Sequence, residues 1–138
     1  MIYNTYKSLT QTGGVDLAND TIKVALVTNS YTPNIDTNTY WDDVSANEAS
    51  GTGYTAGGAT LAGKTVTVDT TNDRAEFDAS DITWSSATIT ARYAVIYKDT
   101  GVDSTSPLIG YIDFGEDKST AGVDFVIQWN TEGIITTS

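Results

Sequence analysis

Residues 58–65, GATLAGKT, fit the pattern G-x-x-x-x-G-K-[ST] of loops that cradle nucleotide phosphates. In such a loop the backbone N–H groups and the N-terminus of a following helix hold the phosphates. The chemistry therefore needs a buried strand before the loop and a helix behind it. This chain provides neither: ASGTGYTAG runs into Gly58, and the alternating β pattern TVTVDT follows Lys64. A strand carries no stack of N–H groups aimed at one point. Asp99, behind the apolar run AVIYK, could act as the acidic Mg²⁺ partner only in a parallel α/β sheet, and the helices of such a sheet are missing from the pattern. The match from Gly58 to Thr65 is read as a decoy. Its glycines punctuate turns on either side of the short piece 59–62, and no cofactor is expected.

Other reactive constellations are few. With no His and no Cys, the chain has no imidazole base, thiolate nucleophile, zinc finger or disulfide. Asp42, Asp43 and Glu48 could be a glycosidase-type carboxylate set. They fall in a polar, loop-like stretch, whereas catalysis needs rigid positioning, so no enzyme is expected. Asp16, Asn19 and Asp20, or Asp99 and Asp103, offer the oxygen ligands that suit Ca²⁺, without EF-hand spacing. They are read as turn-forming acids, and no metal site is assigned. Trp41, Trp84 and Trp129 could form a sugar-stacking platform. Trp129 alternates with core residues and Trp84 stands at a turn, which leaves Trp41 as the free one. A single exposed Trp suits a subunit interface equally well.

Charge and hydropathy narrow the partners. Eighteen Asp and Glu against 7 Lys and Arg give a net charge of −11. Such a chain repels a phosphate backbone, so nucleic acid is set aside. No apolar run approaches the length of a membrane span, and MIYNTYKSLTQTGG lacks the basic-then-apolar layout of a secretory signal.

The elements that would position any site are strands. Thr, Val, Ile and Tyr dominate between Gly, Asn and Asp punctuation. Strands are expected at 21–28 (TIKVALVT), 64–69 (KTVTVD), 73–77 (DRAEF), 87–98 (ATITARYAVIYK), 107–114 (PLIGYIDF), 123–129 (VDFVIQW) and 133–137. The second and third should pair as a hairpin. The run 87–98 is apolar on both parities, which suggests a central position or a second buried surface; on the second reading a homodimer or homotrimer is expected. These seven or eight short strands predict an all-β, single-domain antiparallel β-sandwich, jelly-roll-like or Ig-like. The expected core is Ile22, Val24, Val66, Phe77, Val95, Ile112, Phe125 and Ile127. Residues 1–17 read as an N-terminal arm and 18–138 as the sandwich. Within it, 29–58 form a long loop holding a short helix or strand around 40–47.

From about Asp16 onward the chain resembles a family of small structural proteins of tailed bacteriophages and prophages. The stretches that carry the resemblance are VDLANDTIKVALVTNSYTPN, GTGYTAGGATLAGKTVT, TITARYAVIYKDTG and PLIGYIDFGEDKST. They are strands and turns, so the resemblance implies a virion component and names no active site. Size, acidity and β content fit a head decoration, or cement, protein best. That implies a location on the outer head surface after synthesis in the host bacterial cytoplasm, with the major capsid protein and further copies of itself as partners. A tail or fibre component that binds carbohydrate is the alternative. Candidate contacts are the apolar residues outside the clear strands: Ile2, Tyr3, Tyr6 and Leu9 in the arm, and Tyr40, Trp41 and Val44 in the loop.

Overall fold

The computed structural model describes residues 1–138. A short helix α1 (Asn4–Thr12) precedes seven strands: β1 (Ile22–Val27), β2 (Ala59–Thr60), β3 (Thr65–Asp69), β4 (Arg74–Asp78), β5 (Ile82–Lys98), β6 (Leu108–Ile127) and β7 (Ile135–Thr137). They form two antiparallel sheets, a larger one in the order β2-β1-β5-β6 and a smaller one in the order β3-β4-β7. The expected all-β antiparallel sandwich is present, with β3 and β4 paired as a hairpin.

Two of the expected boundaries move, for one reason. β5 starts at Ile82 rather than Ala87, and β6 joins the two stretches expected at 107–114 and 123–129. The β5–β6 ladder carries register shifts between Trp84 and Ala87 and between Ala91 and Tyr93. Ser86, in the first shift, adopts a φ of 50°. The first shift puts an extra residue on β5 and the second puts extra residues on β6, and the parity of β5 that faces the core reverses across each. Trp84 is thus buried on even parity, Ala87, Ile89 and Ala91 on odd, and Ala94 and Ile96 on even again. A strict period-two reading breaks at those points.

The β1–β5 pair is covered on both faces. On one, Ile22, Val24, Leu26, Ala94 and Ile96 pack with Phe77 and Ile135 of the small sheet and with Trp84, Phe125 and Ile127 of the ribbon formed by outer β5 and β6. On the other, Ala25, Val27, Val95 and Tyr97 pack with Tyr3, Tyr31, Trp41 and Val44. The two-parity pattern of 87–98 is therefore met inside one chain, and it carries no argument for an oligomer. Of the expected core, Ile22, Val24, Phe77, Val95, Phe125 and Ile127 are buried and Ile112 packs against the core partly buried. Val66 is 50% exposed, because β3 is an edge strand that overhangs the body.

Neither the arm nor the long loop hangs free. Tyr3 N–H donates to the Ile109 carbonyl and Tyr111 N–H to the Met1 carbonyl, which stitches the first residues to the start of β6. Residues 29–58 contain two 3-10 turns, Trp41–Asp43 and Ser45–Asn47, where a short helix or strand is expected. Main-chain bonds fasten this layer: Trp41 N–H to the Ser106 carbonyl, Leu108 N–H to Thr39, Thr28 N–H to Asn47 and Ala49 N–H to Leu26.

Candidate functional site

The residues proposed as partner contacts are, for the most part, core. Tyr3, Tyr6, Trp41 and Val44 are buried, Ile2 and Leu9 are half-buried against the core, and only Tyr40, at 40%, is exposed. The physical reason is that the β1–β5 pair presents apolar side chains on both faces. The stretches without regular strands are the only material left to cover the second face. Tyr3 reaches Tyr31 through a 2.8 Å hydroxyl contact, and Tyr31 donates to Asn38 Oδ1 at 2.8 Å. Trp41 stacks on Tyr97 with ring centroids 4.6 Å apart and planes within 4°. Burial holds the Tyr3, Tyr31 and Tyr97 phenols above their ordinary pKa, so all three stay neutral where they sit. Trp84 and Trp129 are buried as well. None of the three indoles therefore offers a free face to a sugar.

The phosphate-loop look-alike becomes strand β2, a turn and strand β3, with no helix. Gly58 sits at φ 85°, where a Cβ would lie 2.0 Å from the Val24 carbonyl oxygen. Glycine here lets the chain lie flat against β1, to which β2 pairs. Lys64, just before β3, donates to the Asp20 carbonyl. It joins a small charged knot in which Lys98 lies 3.1 Å from the Asp20 carboxylate.

The carboxylates also have structural occupations. Asp43 accepts from the N–H groups of Thr39 and Tyr40, capping the first 3-10 turn. Glu48 accepts from Tyr54 Oη at 2.6 Å and Gly57 N–H at 2.8 Å, tying two loops together. Burial and the neighbouring Glu48 carboxylate raise the Tyr54 phenol pKa. Asp16 accepts from Asn19 Nδ2 and from the N–H groups of Ala18 and Asn19, and these bonds hold its carboxyl below the usual range. Asp99 accepts from Gly101 N–H and lies 3.2 Å from Lys23 Nζ; both lower its pKa, the N–H the more. No group of three or more acidic side chains is placed to hold a metal ion.

One polar recess of about 240 Å³ brings several of these groups together: Lys23, Ser45, Glu48, Asp99 and Asp103 around the Trp41–Tyr97 stack. Tyr97 Oη donates to the Gly57 carbonyl at 2.5 Å. Lys23, Glu48, Asp99 and Tyr97 each have a partner within the fold, so the arrangement fastens loop 29–58 to the sheet. It contains no nucleophile paired with a base.

What lies open is different in kind. Val66 and Val68 on β3 are 50% and 78% exposed, and Val123 and Val126 on β6 are also exposed. Shallow apolar grooves flank both strands. One of about 430 Å³ runs between Val66 and Tyr6, Val15 and Leu17. Another of about 350 Å³ lies among Ile112, Phe114, Ile127 and Trp129. Sequence reasoning missed these surfaces because TVTVD reads as a half-buried strand. The signal that could have qualified it is its place between two turns, the position of an outer hairpin strand.

No family model matches the chain, and neither a curated protein nor a solved structure matches it.

Proposed function

We propose that this is a non-enzymatic bacteriophage virion protein, a decoration protein that binds the outer surface of the head and bridges neighbouring copies of the major capsid protein. One observation carries the reading furthest. The carboxylates of Asp16, Asp43, Glu48 and Asp99 are engaged in fastening loops, while exposed apolar side chains gather on open strands. That division suits a protein whose work is contact. The resemblance of residues 15–34, 51–67, 88–101 and 107–120 to small phage structural proteins supplies the biological setting.

The contact surface assigned to this role is the ribbon of outer β5 and β6 with its exposed Val123 and Val126, in place of the buried Tyr3, Tyr6, Trp41 and Val44. A clamp that binds only the assembled shell stabilises it by mass action. The test is fractionation of particles into heads and tails, followed by heating of heads with and without the protein. The expected result is retention on heads, with DNA released at a lower temperature from heads that lack it. Retention on purified tails would replace this reading with the tail or fibre one.

A further inference from the structure

We infer that β3 is a self-association edge, at which two copies of this chain pair antiparallel about a twofold axis through Thr67 and join their small sheets into one six-stranded sheet. The inference rests on the geometry of the strand and is independent of the capsid reading.

β3 has a neighbour on one side only. The direction of its free backbone groups follows from the next strands. The Phe77 carbonyl accepts from Ile134 N–H at 2.7 Å, so the Phe77 peptide groups face β7. Val66 stands opposite Phe77 in the ladder. In an antiparallel pair, opposed residues either exchange both bonds or turn both sets away. Val66, and by alternation Val68, therefore point their N–H and C=O groups out of the open edge.

The side chains on this edge also lack cover. Val66 and Val68 share a face with Phe77 and Ile135, which are buried. The apolar layer thus runs past the end of the body. Lys64, the flanking charge that could guard the edge, is turned back onto the Asp20 carbonyl.

Charge selects the occupant. A chain of net charge −11 repels its own copies over most of its surface. Residues 64–68, KTVTV, carry no acid. The other long open strand, β6, carries Asp113, Glu116, Asp117 and Asp124, and its ladder is irregular. Of the two long open strands, β3 is thus the one where a second copy meets less repulsion; the acid-free edges β2 and β7 are only two and three residues long. The register about Thr67 sets Val66 opposite Val68 of the second copy, and Val68 opposite Val66. Both pairs exchange main-chain bonds and lie on the apolar face. Asp69 falls opposite Thr65 rather than opposite itself, and Thr67 meets Thr67 in the closely spaced, non-hydrogen-bonded pair.

The absence of native cysteine makes the register directly testable. Thr67→Cys places two thiols opposite each other at a separation compatible with a disulfide. Thr65→Cys places them roughly 13 Å apart along the strands. Sedimentation velocity of the full chain over a range of concentrations should show a monomer–dimer equilibrium. Val68→Lys, at a position exposed enough to leave circular dichroism unchanged, should weaken that equilibrium roughly tenfold. Mild oxidation should cross-link the Thr67→Cys variant and leave the Thr65→Cys variant monomeric on a non-reducing gel. A wild-type chain that stays monomeric at every concentration overturns the inference, even if heads recruit it. So does a dimer indifferent to Val68→Lys, or one in which Thr65→Cys cross-links as fast as Thr67→Cys.

Discussion

The two faces of the β1–β5 pair solve the same problem with different materials. One is covered by a second sheet, and its cluster is mostly aliphatic, with Ile22, Val24, Leu26, Ile96 and Ile109 against Phe77 and Ile135. The other is covered by the first residues of the chain and by loop 29–58. Its covering side chains are Tyr3, Tyr31 and Trp41 with Val44. Strands can seal an apolar face by shape because their own ladders satisfy the backbone. A loop must find partners for its main chain as well. It does so here through Asp43 and Glu48, through hydrogen-bonding phenols, and through main-chain bonds to Leu26, Thr28, Ser106 and Leu108. The loop-covered face thus depends more heavily on polar contacts than the sheet-covered face, where Tyr54 and Trp129 make contacts of this kind, and the two should fail under different conditions.

Alkaline pH should load both faces, the loop-covered one more heavily. Tyr3, Tyr31 and Tyr97 in the loop-covered cluster have pKa values raised above the ordinary 10.0 by burial, and Tyr6 and Tyr54 on the sheet-covered cluster are raised as well, so three phenols strain the first face and two the second. A raised pKa contributes stability that is complete below pH 10 and is lost as the pH climbs beyond it. Absorbance at the tyrosinate band should therefore lag the normal titration and then rise together with unfolding. Hydrogen exchange should open residues 29–47 before β5. Ionisation of every tyrosine near pH 10 with the fold intact would erase the distinction.

Trp41→Ala should be the most damaging single change on that face. It removes a buried indole stacked on Tyr97 and should cost about 3–5 kcal/mol in denaturant unfolding. Protection from exchange should fall first in the loop. Tyr31→Phe is a finer probe of the polar contacts. It leaves the fully buried Tyr3 hydroxyl without its partner and should cost about 1–3 kcal/mol. The same loss from a change that leaves Tyr3 paired, such as Asn38→Ala, would shift the weight to the Asn38 end of the chain of hydroxyls.

The smallest effect is expected at low pH. The Asp99 carboxyl is held below its ordinary 3.8, first by Gly101 N–H and then by Lys23. A lowered pKa contributes stability present above pH 3.8 and lost as the pH falls through the folded value. Asp99→Asn should remove that acid sensitivity at a cost below about 1 kcal/mol near neutrality, since the pair is partly exposed. A loss comparable to that of Trp41→Ala would make the recess a primary support of the loop.

Much of the sheet-covered face was legible in the residues. Alternation of Ile22, Val24 and Leu26, or of Phe125 and Ile127, marks a strand with one buried side, and the turn residues between runs separate the elements. The residues after Lys64 foretold strand β3, where a phosphate loop requires a helix. The residues of the internal cover were not legible. Tyr3, Tyr6, Trp41 and Val44 lie outside any periodic run, and isolated aromatics carry no mark that tells a partner contact from an internal cover.

Residue pattern and composition specify local properties: an antiparallel β chain, acidic, without thiol or imidazole chemistry. Which apolar faces are covered is set by long-range packing. Local pattern records that a strand has an apolar side, but cover depends on residues far away in the chain. Trp41 reaches Tyr97 and Tyr3 reaches Tyr31 across such separations. The same rule set the register shifts of the β5–β6 ladder, across which the buried parity of β5 reverses, and the edge position of β3, which exposes Val66 and Val68 despite a strand pattern that predicts their burial.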